Sequence, residues 1–252
     1  MTLISAPAGS GKTSLLRAWA DGPGQRYRRA VVQVRRDQQD AQQFWLAVLS
    51  AVRRASGASG EREQLAATPD FNEGAVADRV LAELAGHHDR TFLIIDDLHE
   101  LISPDALAQL TRLLTKLPGD VHAVLATRRD LPLRLHQLRL AGELAEIRAA
   151  DLRFTEGETR ELLDASGIAL SEAAVALLHQ RTEGWAAGLR LAAISLAGHP
   201  DPERFVAEFS GSDRTADELL GKAQAEGVEL LGPDGLLSQV TKAVVERALA
   251  RR

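Results

Sequence analysis

The sequence lacks cysteine, so it cannot form disulfide bridges, zinc–thiolate sites or a thiol nucleophile. Aromatic residues make up only 4% of the 252 positions, and the dominance of Leu and Ala favours a helix-rich α/β fold. No apolar run reaches the ~18 residues of a membrane span, and the apolar start is too short for a signal peptide. The net charge of −5 argues against nucleic-acid binding. We therefore expect a cytoplasmic protein without a membrane partner or direct DNA binding.

A glycine-rich loop is the most informative stretch that is present. It follows an apolar run at residues 2–5, which predicts a strand, and it precedes a helical pattern that starts near Leu15. The loop reads Ala6-Pro7-Ala8-Gly9-Ser10-Gly11-Lys12-Thr13. This is a Walker A pattern with Ala in place of the usual first Gly. A plain glycine turn is the alternative, but Lys-Thr at this offset, between a strand and a helix, favours a phosphate site.

The chemistry of this loop follows from its backbone. Gly9 and Gly11 allow the chain to curl so that N–H groups point at phosphate oxygens, and the helix that follows adds the positive end of its dipole. Lys12 reaches the β- and γ-phosphates, and Thr13 offers its hydroxyl to Mg²⁺. The predicted nucleotide-binding residues of the loop are Ala8, Gly9, Ser10, Gly11, Lys12, Thr13 and Ser14. Lys12 is also predicted to be catalytic.

A second strand pattern ends in two acidic residues. Residues 91–95 form an almost continuous apolar run, as expected for a parallel strand buried on both faces. Asp96 and Asp97 follow at its carboxyl end, where ligands of α/β sheets bind. Asp96 is predicted to hold Mg²⁺, and Asp97 to orient or deprotonate the attacking water. The alternative is a helix N-cap, which the upstream loop makes less favourable.

The pattern of elements predicts the architecture. Further strand patterns lie at residues 30–34, 121–127 and 144–147. Amphipathic helices are predicted between them, one over residues 41–54 with Phe44 and Trp45 in the core and one over residues 98–117. Thr155, with Glu158 three residues on, predicts a capping box at the start of a later helix. Arg128 follows the fourth strand and is the predicted sensor of the γ-phosphate, although a solvated basic pair with Arg129 is an open alternative. We predict an α/β P-loop NTPase with a five-stranded parallel sheet and a helical lid. The predicted divisions are an ATPase core at 1–150, a lid at 151–212 and a helical tail at 213–252.

Six segments, in order along the chain, match motifs of one family. They lie at residues 5–13, 44–45, 94–99, 127–133, 150–155 and 183–192. Together they resemble the ATPase module of large LuxR-type, MalT-like transcriptional regulators, which are signal-transducing ATPases of the STAND class, similar in core to AAA-type ATPases. The resemblance implies ATP or ADP as ligand with Mg²⁺, slow hydrolysis, and self-association in the ATP state. The family's sensor and DNA-binding parts have no match here, so those activities are not carried over.

The tail has a different resemblance. Residues 223–242 are similar to the amino-terminal start of Mutator-type transposases. That likeness implies a truncated regulator joined to a foreign piece, and a non-functional chimeric fragment is therefore one alternative to an ATP-binding switch. A free-standing P-loop phosphotransferase is another, but the sequence shows no further acid or base constellation for a second substrate.

Overall fold

The computed structural model describes most of the chain in two compact units. The described residues are 1–20, 27–35, 40–57, 73–86 and 89–209. One unit comprises Met1–Ala6 and Pro23–Ile147, and the other comprises Pro7–Gly22 and Arg148–Arg252. The predicted helical tail at 213–252, which includes the resemblance at residues 223–242, lies outside the described residues.

A five-stranded sheet organises the first unit. Its strands are β1 (Thr2–Ser5), β2 (Arg28–Gln33), β3 (Thr91–Asp96), β4 (Val121–Thr127) and β5 (Ala145–Arg148). The order across the sheet is β2-β3-β4-β1-β5, so β4 lies between the strand that leads into the glycine-rich loop and the strand that ends in the acidic pair. The β1–β4, β3–β4 and β2–β3 pairs are parallel. The predicted fold class is confirmed.

The register brings four strand ends to one edge of the sheet. Ser5 pairs with Thr127 across β1 and β4, and Gln33 pairs with Asp96 across β2 and β3. Parallel strands place their carboxyl ends at the same edge. Polar side chains thus collect where the four buried strands stop.

The first unit also contains helices, and all but the last of them bury an apolar face. They are α2 (Ala41–Ala55), α3 (Glu73–Ala85), α4 (Pro104–Leu114) and α5 (His136–Leu140). In α2, the Asp40 side chain accepts a hydrogen bond from the Gln43 N–H and caps the helix start. Phe44 and Trp45 are fully buried on this helix, which confirms their predicted place in the core.

The long helix predicted over residues 98–117 is wrong in its extent. A short 3₁₀ turn at Leu98–Glu100 comes first, and α4 begins only at Pro104. The reason is local, since Ser103 accepts a hydrogen bond from the Ala106 N–H and Pro104 occupies the first helical turn, where its missing N–H costs nothing.

The second unit is helical. Its helices are α1 (Lys12–Ala20), α6 (Glu156–Ala165), α7 (Glu172–Thr182), α8 (Ala186–Leu196) and α9 (Pro202–Glu208). The capping box predicted at Thr155 and Glu158 is confirmed, because each side chain bonds the other residue's backbone N–H. A separate core holds α6 to α9 together, with Leu162, Leu178 and Leu189 fully buried. Among the described residues, no helix has the length and apolar character needed to cross a bilayer.

Candidate functional site

The acidic pair ends β3 in the first unit. Asp96 is only 6% exposed, and its Oδ1 accepts a hydrogen bond of 2.8 Å from the Asp97 N–H. A carboxylate buried at a strand end is costly unless it is bonded, and this backbone donor offsets part of that cost. Asp96 is therefore held in one orientation by the chain itself.

Asp97 adopts an unusual backbone conformation. Its φ of 53° and ψ of 34° lie in the left-handed region, which disfavours most residues but is tolerated by Asp and Asn. The conformation reverses the chain direction directly after β3, before the 3₁₀ turn. Strain of this kind is characteristic of functional sites.

Three side chains of the first unit approach the Asp97 carboxylate. Gln33 Nε2 donates a hydrogen bond of 3.2 Å to Oδ2. An Arg128 guanidinium nitrogen lies 3.8 Å from Oδ1, and His99 Nδ1 lies 3.9 Å from the same oxygen. A hydrogen-bond donor, a guanidinium and an imidazole therefore surround this carboxylate within the first unit. Gln33 was not among the site residues predicted from the sequence.

The segment after β4 is anchored on both sides of Arg128. The Thr127 hydroxyl donates to the Arg129 carbonyl at 2.7 Å, and Ser5 Oγ donates to Asp130 Oδ1 at 2.9 Å. Arg129 also donates to the His99 carbonyl at 3.3 Å. Arg128 itself remains 45% exposed. Hydrogen bonds thus hold the residues on both sides of Arg128, while its own side chain is about half exposed.

The glycine-rich loop belongs to the second unit. Gly9 has a φ of 71° and Gly11 a φ of 81°, so both positions need the freedom of glycine. Ala6 stands in the first Walker A position and is buried. Because its φ is not positive, this position does not require glycine, and alanine is accommodated. Lys12 is only 7% exposed, and its Nζ donates a hydrogen bond of 2.7 Å to the Pro7 carbonyl. The lysine therefore folds back over its own loop.

Residues at the start of α8 touch the loop within this second unit. Trp185 Nε1 donates to the Ala8 carbonyl at 3.2 Å, and the Ala187 N–H donates to the Gly9 carbonyl at 3.0 Å. These contacts were also missed from the sequence, although residues 183–192 had been recognised as a motif. The small residues that flank Trp185 in this motif are the sequence feature that could have indicated close packing.

The predicted site residues thus fall into two groups. Asp96, Asp97 and Arg128 lie in the first unit, and the structure brings the last two together. The loop residues lie in the second unit, as one continuous turn into α1. They are Ala8, Gly9, Ser10, Gly11, Lys12, Thr13 and Ser14.

The residues present fit a magnesium-bound nucleotide. Two left-handed glycines, a helix start and a buried lysine make the loop a suitable cradle for phosphate. In each unit taken by itself, one predicted residue offers the kind of oxygen ligand that Mg²⁺ prefers: the Thr13 hydroxyl in the second unit and the Asp96 carboxylate in the first.

The chain is similar in sequence to parts of curated proteins. The serine/threonine-protein kinase PknK of Mycobacterium tuberculosis is 32% identical over 91% of this chain. The HTH-type transcriptional regulator MalT of Serratia proteamaculans is 28% identical over 98% of it. The chain spans only 21% of the length of PknK and 28% of that of MalT.

Solved structures show the same fold. The Walker-type ATPase paby2304 of Pyrococcus abyssi superposes with a TM-score of 0.56 at 14% identity, over 91% of this chain and 70% of the other. A family profile described as an AAA domain matches residues 1–135, which is more than half of the 252 residues. The chain therefore belongs to the AAA domain family, and it contains a P-loop ATPase module of the kind found in MalT.

Proposed function

We propose that this chain is an ATP-binding switch module of a MalT-like transcriptional regulator, which hydrolyses ATP slowly. The phosphate loop carries the proposal: Gly9 and Gly11 in left-handed conformations lead directly to a buried Lys12 at the start of α1. A glycine turn without a ligand does not require a lysine ammonium to be held at this position. The similarity to MalT over nearly the whole chain supports the regulatory role.

Each predicted residue has a defined part in this function. The amides from Ala8 to Ser14 and the Lys12 ammonium would bind the β- and γ-phosphates. Thr13 and Asp96 would hold Mg²⁺, which when bound neutralises phosphate charge. Both groups are proposed to serve one nucleotide because a glycine-rich loop after one strand and an acidic end on a later strand are the two sequence motifs of P-loop ATPases.

Asp97 is the proposed group that orients or deprotonates the attacking water. Gln33 fixes one of its oxygens at 3.2 Å and leaves the other facing Arg128. Arg128 is the proposed sensor, since its half-exposed guanidinium can bind either a carboxylate or a γ-phosphate. These two residues would thereby couple hydrolysis to the presence of the terminal phosphate.

Replacing Asp97 by Asn is expected to preserve nucleotide binding and to lower hydrolysis by about 100-fold, the size of a general-base contribution. Asn tolerates the left-handed backbone of this position and keeps the hydrogen-bonding shape, so only the basic oxygen is lost. Steady-state phosphate release, with Mg-ATP affinity measured in parallel, checks this.

The matched control is Asp105→Asn, which removes an exposed carboxylate from the first turn of α4 in the same unit. It should hydrolyse ATP at the parent rate. Hydrolysis by Asp97→Asn at that same rate would show that Asp97 does not handle the water.

The switch role predicts that the nucleotide decides the assembly state. We expect the chain to be monomeric with ADP and to self-associate with a non-hydrolysable ATP analogue, as the resemblance to MalT-like regulators implies. Sedimentation velocity in the two nucleotides measures this directly. Identical sedimentation with both, in a chain that binds both, would count against a switch and leave a plain ATPase.

A further inference from the structure

Trp185 and Ala187 hold two carbonyl groups of the phosphate loop in the second unit. The indole Nε1 of Trp185 donates to the Ala8 carbonyl at 3.2 Å, and the Ala187 N–H donates to the Gly9 carbonyl at 3.0 Å. The loop is therefore attached at consecutive residues to the start of α8. None of the roles assigned above uses this attachment.

The attachment depends on close packing between small residues. A Cβ added at Gly9 would lie 2.7 Å from both Ala187 Cβ and Trp185 Cζ2, well inside van der Waals contact. A Cβ at Gly188 would lie 2.7 Å from Trp185 Cε3, so this glycine leaves room for the indole ring. Glycine is thus required at two positions around the Trp185 indole, one in the loop and one within the motif at residues 183–192.

The contact also provides an acceptor for a backbone N–H at the start of α8. The first four N–H groups of a helix have no intrahelical acceptor, and Ala187 is the second residue of α8. The Gly9 carbonyl supplies the acceptor that this N–H needs. Trp185, the N-cap residue, makes no side-chain cap bond and instead directs its N–H to the loop. Helix start and loop therefore stabilise each other.

Holding these carbonyls sets the direction of the next amides. In a planar trans peptide, the C=O of one residue and the N–H of the next point in opposite directions. With the Ala8 carbonyl held by Trp185, the Gly9 N–H points away from the indole. With the Gly9 carbonyl held by Ala187, the Ser10 N–H points away from α8.

We propose that Trp185 and Ala187 are positioning residues that orient the Gly9 and Ser10 amides for phosphate binding. The inference rests on the proposed function, since it concerns the phosphate-binding loop of that function. Donors that are already ordered in the free protein lose less conformational entropy when an anion binds. The lid helix would thus contribute to phosphate affinity without touching the phosphate.

The test is the variant Trp185→Phe, which keeps an aromatic ring and removes the N–H donor. Loss of this one hydrogen bond to the loop should weaken affinity for both Mg-ADP and inorganic pyrophosphate by about 3- to 10-fold. Isothermal titration calorimetry with each ligand measures this. Pyrophosphate is included because it has phosphates and no base or sugar.

Trp45→Phe is the matched control. It makes the same substitution at a fully buried residue of the first unit's core, so it should lower the melting temperature by leaving a cavity while the affinities stay at the parent value. Affinities that fall equally in both variants would show a general effect of instability and overturn the inference.

Three other results would also overturn it. Unchanged affinity of Trp185→Phe, in a parent that binds ADP, would refute the positioning role and leave the proposed function intact. A loss confined to ADP would assign Trp185 to the base or sugar. A parent that binds neither ligand would refute the proposed function and this inference with it.

Discussion

Replacing Lys12 by Ala is expected to weaken Mg-ADP and Mg-ATP binding by about 100-fold or more. Truncating one partner of a buried charged contact costs about 2–5 kcal/mol, and each 1.4 kcal/mol is about tenfold in affinity. Lys12 is buried and begins α1, so no other side chain of the loop can bring an ammonium to the phosphates. Ala is the best helix former, and the helix start should therefore survive the change.

Lys116→Ala is the control for this variant. Lys116 is an exposed lysine of the first unit, and its removal should leave affinity at the parent value while changing net charge by the same amount. Titration of the three proteins with Mg-ADP, with circular dichroism to show equal helix content, makes the comparison. Parent-like affinity in Lys12→Ala would refute the assignment of the loop as the phosphate site.

The largest expected effect on stability is at Gly184. Its φ is +70°, and an added Cβ would lie 2.3 Å from the Phe154 carbonyl oxygen and 3.0 Å from the Phe154 nitrogen. Both atoms belong to backbone, and the Phe154 N–H donates to the Gly184 carbonyl at 2.9 Å, so neither segment can retreat cheaply. We expect Gly184→Ala to destabilise the second unit by about 3 kcal/mol or more, from left-handed strain of about 1–2 kcal/mol plus overpacking of about 1–3 kcal/mol.

Gly167 separates these two causes. It has a φ of +71°, nearly that of Gly184, but a Cβ there would meet nothing within 4 Å. Gly167→Ala should therefore show the conformational cost alone, about 1 kcal/mol after the gain from a stiffer unfolded chain. Urea denaturation of both variants measures the difference. An equal loss of unfolding free energy in both variants would show that the close approach of Phe154 to Gly184 adds nothing to the cost of the substitution.

The strands of the sheet could be predicted from sequence because each carries its own signal. The predicted bounds of β1 and β4 agree with the structure at both ends, since buried parallel strands appear as short apolar runs between polar residues. The start of α4 was mispredicted because the apolar pattern of residues 98–117 outweighed a local cap at Ser103 and Pro104. Capping chemistry had been noticed at Thr155, where the pattern is complete.

Contacts between distant residues could not be predicted in the same way. Gln33 is 64 residues from Asp97, and Trp185 is 177 residues from Ala8. Each contact depends on the sheet order or on the packing of α8, and neither feature is encoded near either residue. The left-handed conformation of Asp97 likewise follows from how the chain turns after β3, and Asp tolerates it without a sequence signature.

The central claim is that this chain retains a nucleotide through its phosphate loop. The most direct measurement is to purify the protein alongside Lys12→Ala, denature both, and identify any released nucleotide by chromatography. The account predicts near-stoichiometric ADP or ATP from the parent and none from the variant. Absence of nucleotide from the parent, together with no uptake after Mg-ATP is added, would contradict it.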